Sequence, residues 1–474
     1  MSKYNFYFNL GRSTYNARIN GFVNPDGYLL SVHRYTPQRI KFCLELGLEF
    51  DELIFADNGF FKHINLLKKE FNNLSTPLLK QITDIERSLD HSIYPNEVPT
   101  ELREKYRILI NNIKNKLSSI EKEIIPENTV SEQNKINPKR LICREDILLA
   151  SLIGLSIEPE YVKKYSSFYT YRNKRSARFY NNTISKKYGK YFGKPYGVIS
   201  AVDYDSAFNA GKEMAKNNVR NLALGVGASM ADNNWTDYYI KQKKIVELPR
   251  KVPRRSLRTP LIVKGICDGY YSWNKKYPSK FHFLGLGSQI MILICSLIMH
   301  KTREVSFDAT SPIKDGFMGL IYFNKPAEKK VSARTLSLMF CKNPDSEWGC
   351  NCKYCKHYLP NYPFDYEQAV EWYEQNDRPK KILAKHLKGN IGLPESLPMF
   401  SEPDKGQRRT DIRDWRMGHN HIMIKNLVKE IEKNDKEMNL KTFTKNKVIE
   451  YADSTTAPHA YGASLGYSIA IGQF

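Results

Sequence analysis

Three cysteines stand within six residues, Cys350-Asn351-Cys352-Lys353-Tyr354-Cys355, in the spacing C-x-C-x-x-C. Thiolates bind zinc well, and a tight turn aims several of them at one ion. A tetrahedral site needs a fourth ligand, and histidine is the usual partner of three cysteines. The segment Arg416-Met417-Gly418-His419-Asn420-His421 supplies His419 and His421, and His357 and His386 remain open as alternatives. Three thiolates and one imidazole close the tetrahedron, so the expected zinc is structural. Free cysteines rarely cluster this tightly without metal or redox work. Two aspartates, Asp57 and Asp308, each end a strand-like apolar run. Taken alone, either reads as a turn or N-cap residue.

The elements that must position these groups alternate along the chain. Short β-like runs at 52–56, 196–200, 221–224, 281–284 and 304–307 each lead into Gly, Asp or a polar turn. Helix-length segments lie between them, such as 207–218 and 289–300. Alternating strands and helices predict a parallel β/α architecture. Polar residues and glycines gathered after strands suit the C-terminal face of a barrel. Residues 62 to about 140 read as a helical insertion, with Tyr106, Leu109, Ile113, Leu117, Ile120 and Ile124 at helical spacing before Pro126.

The whole chain bounds the partners. Its 474 residues carry a formal net charge of +23, which points to a polyanion, nucleic acid before membrane. No Asp or Glu occurs between residues 161 and 202. That stretch interleaves aromatics with Arg172, Lys174, Arg175, Arg178, Lys186 and Lys187. Cations neutralise phosphates and aromatic faces stack on exposed bases, so the stretch reads as a nucleic-acid grip. A second basic run holds Arg250, Lys251, Arg254, Arg255 and Arg258. The longest apolar run, 283–299, contains Gly, Ser and Gln and is marginal for a bilayer. A buried strand followed by a helix accounts for it, and no membrane partner is expected. Eight cysteines without a disulfide-like framework, and an N-terminus without an apolar run, suggest a cytoplasmic protein.

Taken in order, several blocks resemble the tRNA-guanine transglycosylase family. They are Asp57-Asn58-Gly59-Phe60-Phe61, Tyr196-Gly197-Val198-Ile199-Ser200-Ala201 and Ala223-Leu224-Gly225-Val226-Gly227. They continue with His282-Phe283-Leu284-Gly285-Leu286-Gly287, Phe307-Asp308-Ala309-Thr310-Ser311-Pro312-Ile313-Lys314, the cysteine cluster and His419-Asn420. The resemblance implies an α/β fold, a (β/α)8 TIM-like barrel with a helical insertion and a late zinc-binding subdomain. It divides the chain into a catalytic barrel (1–340), a zinc subdomain with a closing helix (341–435) and a C-terminal extension (436–474). It implies exchange of guanine in a nucleic acid for a 7-deazaguanine base. Asp308 is then the nucleophile that forms a glycosyl ester, and Asp57 the general acid/base. The pair must differ in protonation, so Asp57 is expected to have a raised pKa beside an ionised Asp308. Ser200, Gly225, Val226 and Gly227 are expected to meet the base, with Gly285 and Leu286 as the pocket floor. The zinc ligands implied are Cys350, Cys352, Cys355 and His419.

The sequence also departs from the family. The family's base-reading Asp precedes its Gln strand, and the stretch aligned with it, 147–156, has none. Ser200 replaces the Gln, Lys314 replaces an Arg, and His419 lies further from Cys355 than is usual. These changes resemble the branch that acts on DNA in 7-deazaguanine modification systems, with double-stranded DNA and a 7-deazaguanine such as 7-cyano-7-deazaguanine as partners. Duplex DNA demands base flipping, and helper proteins of a modification system are conceivable partners. The alternatives are the same exchange on tRNA, a non-catalytic zinc-containing nucleic-acid-binding subunit, and a glycosylase that leaves an abasic site.

Overall fold

The computed structural model describes residues 2–31, 54–57, 140–142, 194–225, 235–323, 330–332 and 407–474, with a few gaps, and isolated positions between them such as Cys350, Cys352 and Cys355. The basic aromatic stretch up to residue 193 and most of the insertion at 62–140 lie outside the described residues.

The chain opens with β1 (Tyr4–Asn9), α1 (Arg12–Ile19) and β2 (Gly27–Ser31), followed by β3 (Ile54–Asp57), β4 (Arg140–Ile142) and β5 (Lys194–Ile199). Next come α2 (Tyr204–Lys216), β6 (Asn221–Gly225), an antiparallel ribbon of β7 (Trp235–Lys241) and β8 (Lys244–Pro253), and α3 (Arg254–Asn274). Then follow β9 (Lys280–Leu284), α4 (Gln289–Ile298), β10 (Glu304–Asp308), α5 (Ser311–Phe317) and a small sheet of β11 (Leu320–Tyr322) and β12 (Lys330–Ser332). Three helices end the chain: α6 (Gln407–Lys436), α7 (Leu440–Ser454) and α8 (Ala457–Ala470).

Eight of the strands pair in parallel, in the order β1-β10-β9-β6-β5-β4-β3-β2, and β2 returns to β1. Apart from the inserted ribbon, neighbours in the ring follow chain order. Helices follow β1, β5, β6, β9 and β10 among the described residues, so the expected β/α alternation is seen in part.

Side chains of a strand alternate between its two faces, and the apolar residues separate accordingly. Tyr7, Leu29, Ile142, Tyr196, Val198 and Ala223 pack as one set inside the ring. Phe6, Phe8, Leu30, Leu141, Leu222, Phe281, Phe283 and Phe307 belong to the larger core between strands and helices. Strands buried on both faces read as near-continuous apolar runs, which is why 281–284 and 304–307 are recognisable in the sequence.

The inner face also carries charge. Arg140 Nη1 lies 2.6 Å from Glu304 Oε1 and donates to Tyr7 Oη at 2.7 Å, while Lys280 bonds the other Glu304 oxygen. All three elements meet at the N-terminal end of the strands, so this group ties β4, β9 and β10 together.

The helices fit by local chemistry. Asp203 caps α2: its Oδ1 accepts from Ser206 N at 2.7 Å, and Asp203 N donates to Ser206 Oγ at 3.2 Å, a reciprocal capping box. Where α2 crosses α3 the backbones nearly touch. A Cβ at Gly269 would sit 1.9 Å from Phe208 O, and one at Gly211 2.2 Å from Ile266 O, so only glycine fits at either place. Every residue of α4 is buried, because the barrel lies on one side and α3, α6, α7 and α8 pack around the rest. That accounts for an apolar run of helix length with no bilayer. Among the described residues no helix is long and apolar enough to cross a membrane.

Candidate active site and metal centre

Asp308 ends β10 and is 2 % exposed. On β10 the inward positions are Glu304, Ser306 and Asp308, spaced by two, and the last of these reaches the C-terminal mouth of the ring. Two hydrogen bonds and one close approach hold its carboxylate. Asn9 Nδ2, at the end of β1, donates to Oδ2 at 3.1 Å. The backbone N–H of Gly285 donates to Oδ1 at 3.0 Å. His282 Nε2, from β9, stands 3.3 Å from the same Oδ1.

Gly285 has φ +82°, a left-handed conformation that favours glycine and turns the chain as it leaves β9. His282 is fully buried, and its rings of contact are Tyr7 and Tyr196, both near edge-on. Its Nδ1 lies 2.9 Å from Ser306 Oγ. A carboxylate only accepts hydrogen bonds. In a neutral ring Nε2 therefore carries the hydrogen that faces Asp308, and Nδ1 accepts from the Ser306 hydroxyl. The sequence singled out neither Asn9 nor His282 as part of this site. The signal available for His282 was a lone polar residue in the apolar strand 281–284.

The other expected site residues divide. Gly225 ends β6 at the same mouth. Asp57 ends β3, in register with Ser31 of β2, but its side chain lies outside the described residues. So do Ser200, Val226 and Gly227. Gly285 stands beside Asp308 and binds it through its backbone N–H. Leu286, also expected at the floor, is buried in the outer core between strands and helices; β9 ends at Leu284, which packs on the inner set, and the left-handed turn at Gly285 breaks the alternation before Leu286. Arg254, expected to contact nucleic acid, is 8 % exposed and buried at the start of α3, whereas its neighbour Arg255 is exposed. Arg172, Lys174, Arg175, Arg178, Lys186 and Lys187 lie outside the described residues.

A further correction concerns β4. The strand between β3 and β5 is Arg140–Ile142, not the stretch 147–156 aligned with it from the sequence. Its C-terminal end is followed by Cys143, Arg144, Glu145 and Asp146. Acids thus stand in the chain soon after that strand, and the argument for DNA from a missing acid falls.

The second constellation is the metal centre. The ligand atoms of Cys350, Cys352, Cys355 and His419 all lie within 4.8 Å of one another. His419 Nδ1 is 3.6 Å from Cys350 Sγ, 3.6 Å from Cys352 Sγ and 3.2 Å from Cys355 Sγ. Zinc bonds of about 2.3 Å to sulfur and 2.0–2.1 Å to nitrogen, at tetrahedral angles, separate S and N by about 3.6 Å. The donor set therefore fits one tetrahedral zinc. His419 Nε2 donates to Tyr322 O at 2.8 Å, which turns Nδ1 toward the thiols and fixes the tautomer a metal requires.

The thiols also interact with one another. Hydrogen bonds from Cys350 and Cys355 push the Cys352 thiol far down, and the same network pushes Cys355 up. Burial alone would lower His419, but its hydrogen bonds to Cys350 and Cys352 outweigh this and raise it to about 9. Neighbouring Asn420 staples the region: Tyr322 N donates to its Oδ1 at 2.8 Å, and its Nδ2 donates to Leu320 O at 2.9 Å and Pro312 O at 3.2 Å. His421, the alternative ligand, faces elsewhere. It is 2 % exposed, with its ring 4.7 Å from that of Phe8, and burial pushes its pKa down to about 3. His357 and His386 lie outside the described residues.

No protein-family model matches this chain, and a search of curated proteins finds no match either. The class defined by fold and site is therefore the coarser one: a parallel α/β barrel with a buried carboxylate at its C-terminal mouth and a Cys3His cluster fit for a metal ion.

Proposed function

We propose that this protein is a base-exchange transglycosylase that replaces guanine in DNA with a 7-deazaguanine, on a (β/α)8 barrel closed by a zinc-binding subdomain. The observation that carries the reading is the setting of Asp308: buried, at the C-terminal end of a barrel strand, held by hydrogen bonds from Asn9 of β1 and the Gly285 backbone after β9, with His282 Nε2 of β9 3.3 Å away. Active sites of such barrels sit at this face.

The chemistry follows from the carboxylate's partners. Each oxygen accepts one hydrogen bond, and Oδ1 also lies against His282, so Oδ2 is the less crowded of the two. It attacks the anomeric carbon of a flipped-out nucleotide, and the bond to guanine breaks as Asp57 supplies a proton to the leaving base. The resulting ester holds the sugar while the bases exchange. The incoming 7-deazaguanine then attacks the same carbon, returns a proton to Asp57 and releases Asp308. Two displacements retain the configuration at that carbon. Donors aimed at Asp308 orient it and stabilise the anion when it leaves the ester. Zinc bound by Cys350, Cys352, Cys355 and His419 is structural, since all four positions are taken by protein. Reduced thiols suit a cytoplasmic setting.

A second reading, the same exchange on tRNA, gains from the acids Glu145 and Asp146 that follow β4. The deciding experiment offers duplex DNA and tRNA in parallel, each carrying labelled guanine, together with 7-cyano-7-deazaguanine. Products are digested to nucleosides and read by mass. Deazaguanine in deoxynucleosides supports the DNA reading, and incorporation into tRNA alone replaces it with the second. Guanine release without incorporation points to a glycosylase. No reaction with either substrate favours a binding subunit and removes the catalytic roles given to Asp308 and Asp57.

A further inference from the structure

The β7–β8 ribbon is inserted between β6 and α3, so it rises from the same end of the barrel as Asp308. Residues 241–255, which include its tip, hold seven Lys and Arg against Glu247 alone. One side of the ribbon is anchored. Val252, with Tyr239 and Leu248, packs on Leu257, Leu261 and Ile469. Lys241 donates to Phe474 O at 2.7 Å, and Arg250 lies 5.6 Å over the Tyr461 ring. Lys244 stands exposed at the tip as the partner of Lys241, the opposite side carries exposed Lys251, and exposed Arg255 follows at the start of α3, with Trp235 exposed at the root. The pairing skips from Thr236↔Val252 to Tyr238↔Glu247, leaving residues 248–251 opposite Asp237 alone. A bulge of this kind bends the strand and re-aims its side chains, here Arg250 and Lys251.

We propose that this ribbon is a docking surface for the major groove of duplex DNA. Its charge complements phosphate, and a two-stranded β-ribbon fits the B-form major groove, about 12 Å wide. The major groove of A-form RNA is deep and narrow and does not admit such an element. The ribbon thus selects the kind of duplex, while the mouth of the barrel receives the flipped base. The second function rests on the reading of Asp308 as nucleophile; the docking itself does not.

The test compares binding of fluorescent DNA and RNA duplexes of one sequence to the full chain, by anisotropy across 50–200 mM salt. The expected result is preference for DNA. Charge reversal in Lys244→Glu/Lys251→Glu weakens DNA binding at least about tenfold and reduces the salt slope by about two. Lys244→Arg/Lys251→Arg leaves both unchanged, and Lys244→Ala/Lys251→Ala gives an intermediate loss, with equal zinc content and melting temperature certifying the fold. Wild-type affinity in the reversal variant, an equal or tighter RNA complex, or binding to anionic vesicles in place of DNA would each overturn the proposal. Base exchange is then measured on duplex and single-stranded oligonucleotides. Loss on the duplex alone supports docking. Absence of exchange in the wild type sinks the reading of Asp308 and leaves the binding result to judge the ribbon.

Discussion

At the scale of single residues, three side chains and one backbone amide decide what the barrel mouth can do. Removing the charge in Asp308→Asn is expected to abolish the covalent DNA adduct, read as a mass shift on rapid denaturation, while DNA affinity stays. In the proposed reaction His282 positions Asp308. The 3.3 Å approach of His282 Nε2 to Asp308 falls short of a full charged hydrogen bond, so His282→Leu should lower kcat about 3- to 10-fold with little change in KM. His282→Gln, whose amide nitrogen can stand near the place of Nε2, should recover part of that loss; a glutamine variant no better than leucine would contradict the role. At the metal, Cys355→Ser should lose zinc by elemental analysis and melt earlier, whereas His421→Gln should keep its metal. The cysteine cluster was legible in the sequence because its ligands are local. Asn9 and His282 were not, because their contact with Asp308 depends on which strands become neighbours when the ring closes.

Elements show the same division between local and long-range information. The strands at 194–199, 221–225, 280–284 and 304–308 announce themselves as apolar runs that lead into glycine, aspartate or a polar turn. β4 has three residues, begins with Arg140 and is flanked by charges, so no periodicity marks it. The ribbon joins its strands through Gln242-Lys243, without the Asn-Gly or Asp-Gly pair that usually signals a tight hairpin. At the start of α2, burial outweighs the hydrogen bonds of Ser206 and pushes the Asp203 carboxyl up. The folded pKa is above the unfolded one, so the stabilising contribution is full below the unfolded value and disappears as pH rises through the folded value. Asn caps a helix as well as Asp and does not titrate. In urea titrations, Asp203→Asn should be at least as stable as wild type at pH 7 and lose the gain that wild type shows on acidification toward pH 4. Asp203→Ala should cost about 1 kcal/mol at pH 7.

At the scale of the whole molecule, the ring is braced by charge at the end opposite the one proposed to bind substrate. Arg140 and Glu304 are both buried. Removing one partner of a buried pair costs about 3–5 kcal/mol when the other charge is left uncompensated, and here Lys280 still faces Glu304. Arg140→Met is therefore expected to lower the melting temperature more than Lys251→Glu, and Arg140→Met/Lys280→Met, which strips both cations from Glu304, should cost more still. A loss no greater in that double variant than in the single would show that the group is not a brace. The pair of carboxylates proposed for catalysis and the cysteine cluster were visible from the sequence as blocks in order; the brace was not, since Arg140 and Glu304 belong to distant strands.

The closure of β1 on β10 has a consequence for synthesis. Asn9 and Asp308, which bond across that seam, are 299 residues apart in the chain. At about 5–20 residues per second, a ribosome needs roughly 15–60 s to deliver the second strand after the first. Throughout that interval the edge of β1 that will meet β10 is unpaired, and in its later part the basic middle of the chain has emerged. A nascent chain in this state invites chaperones and stray polyanions alike, so the yield of folded protein should depend on elongation speed before residue 308 more than on anything that follows it.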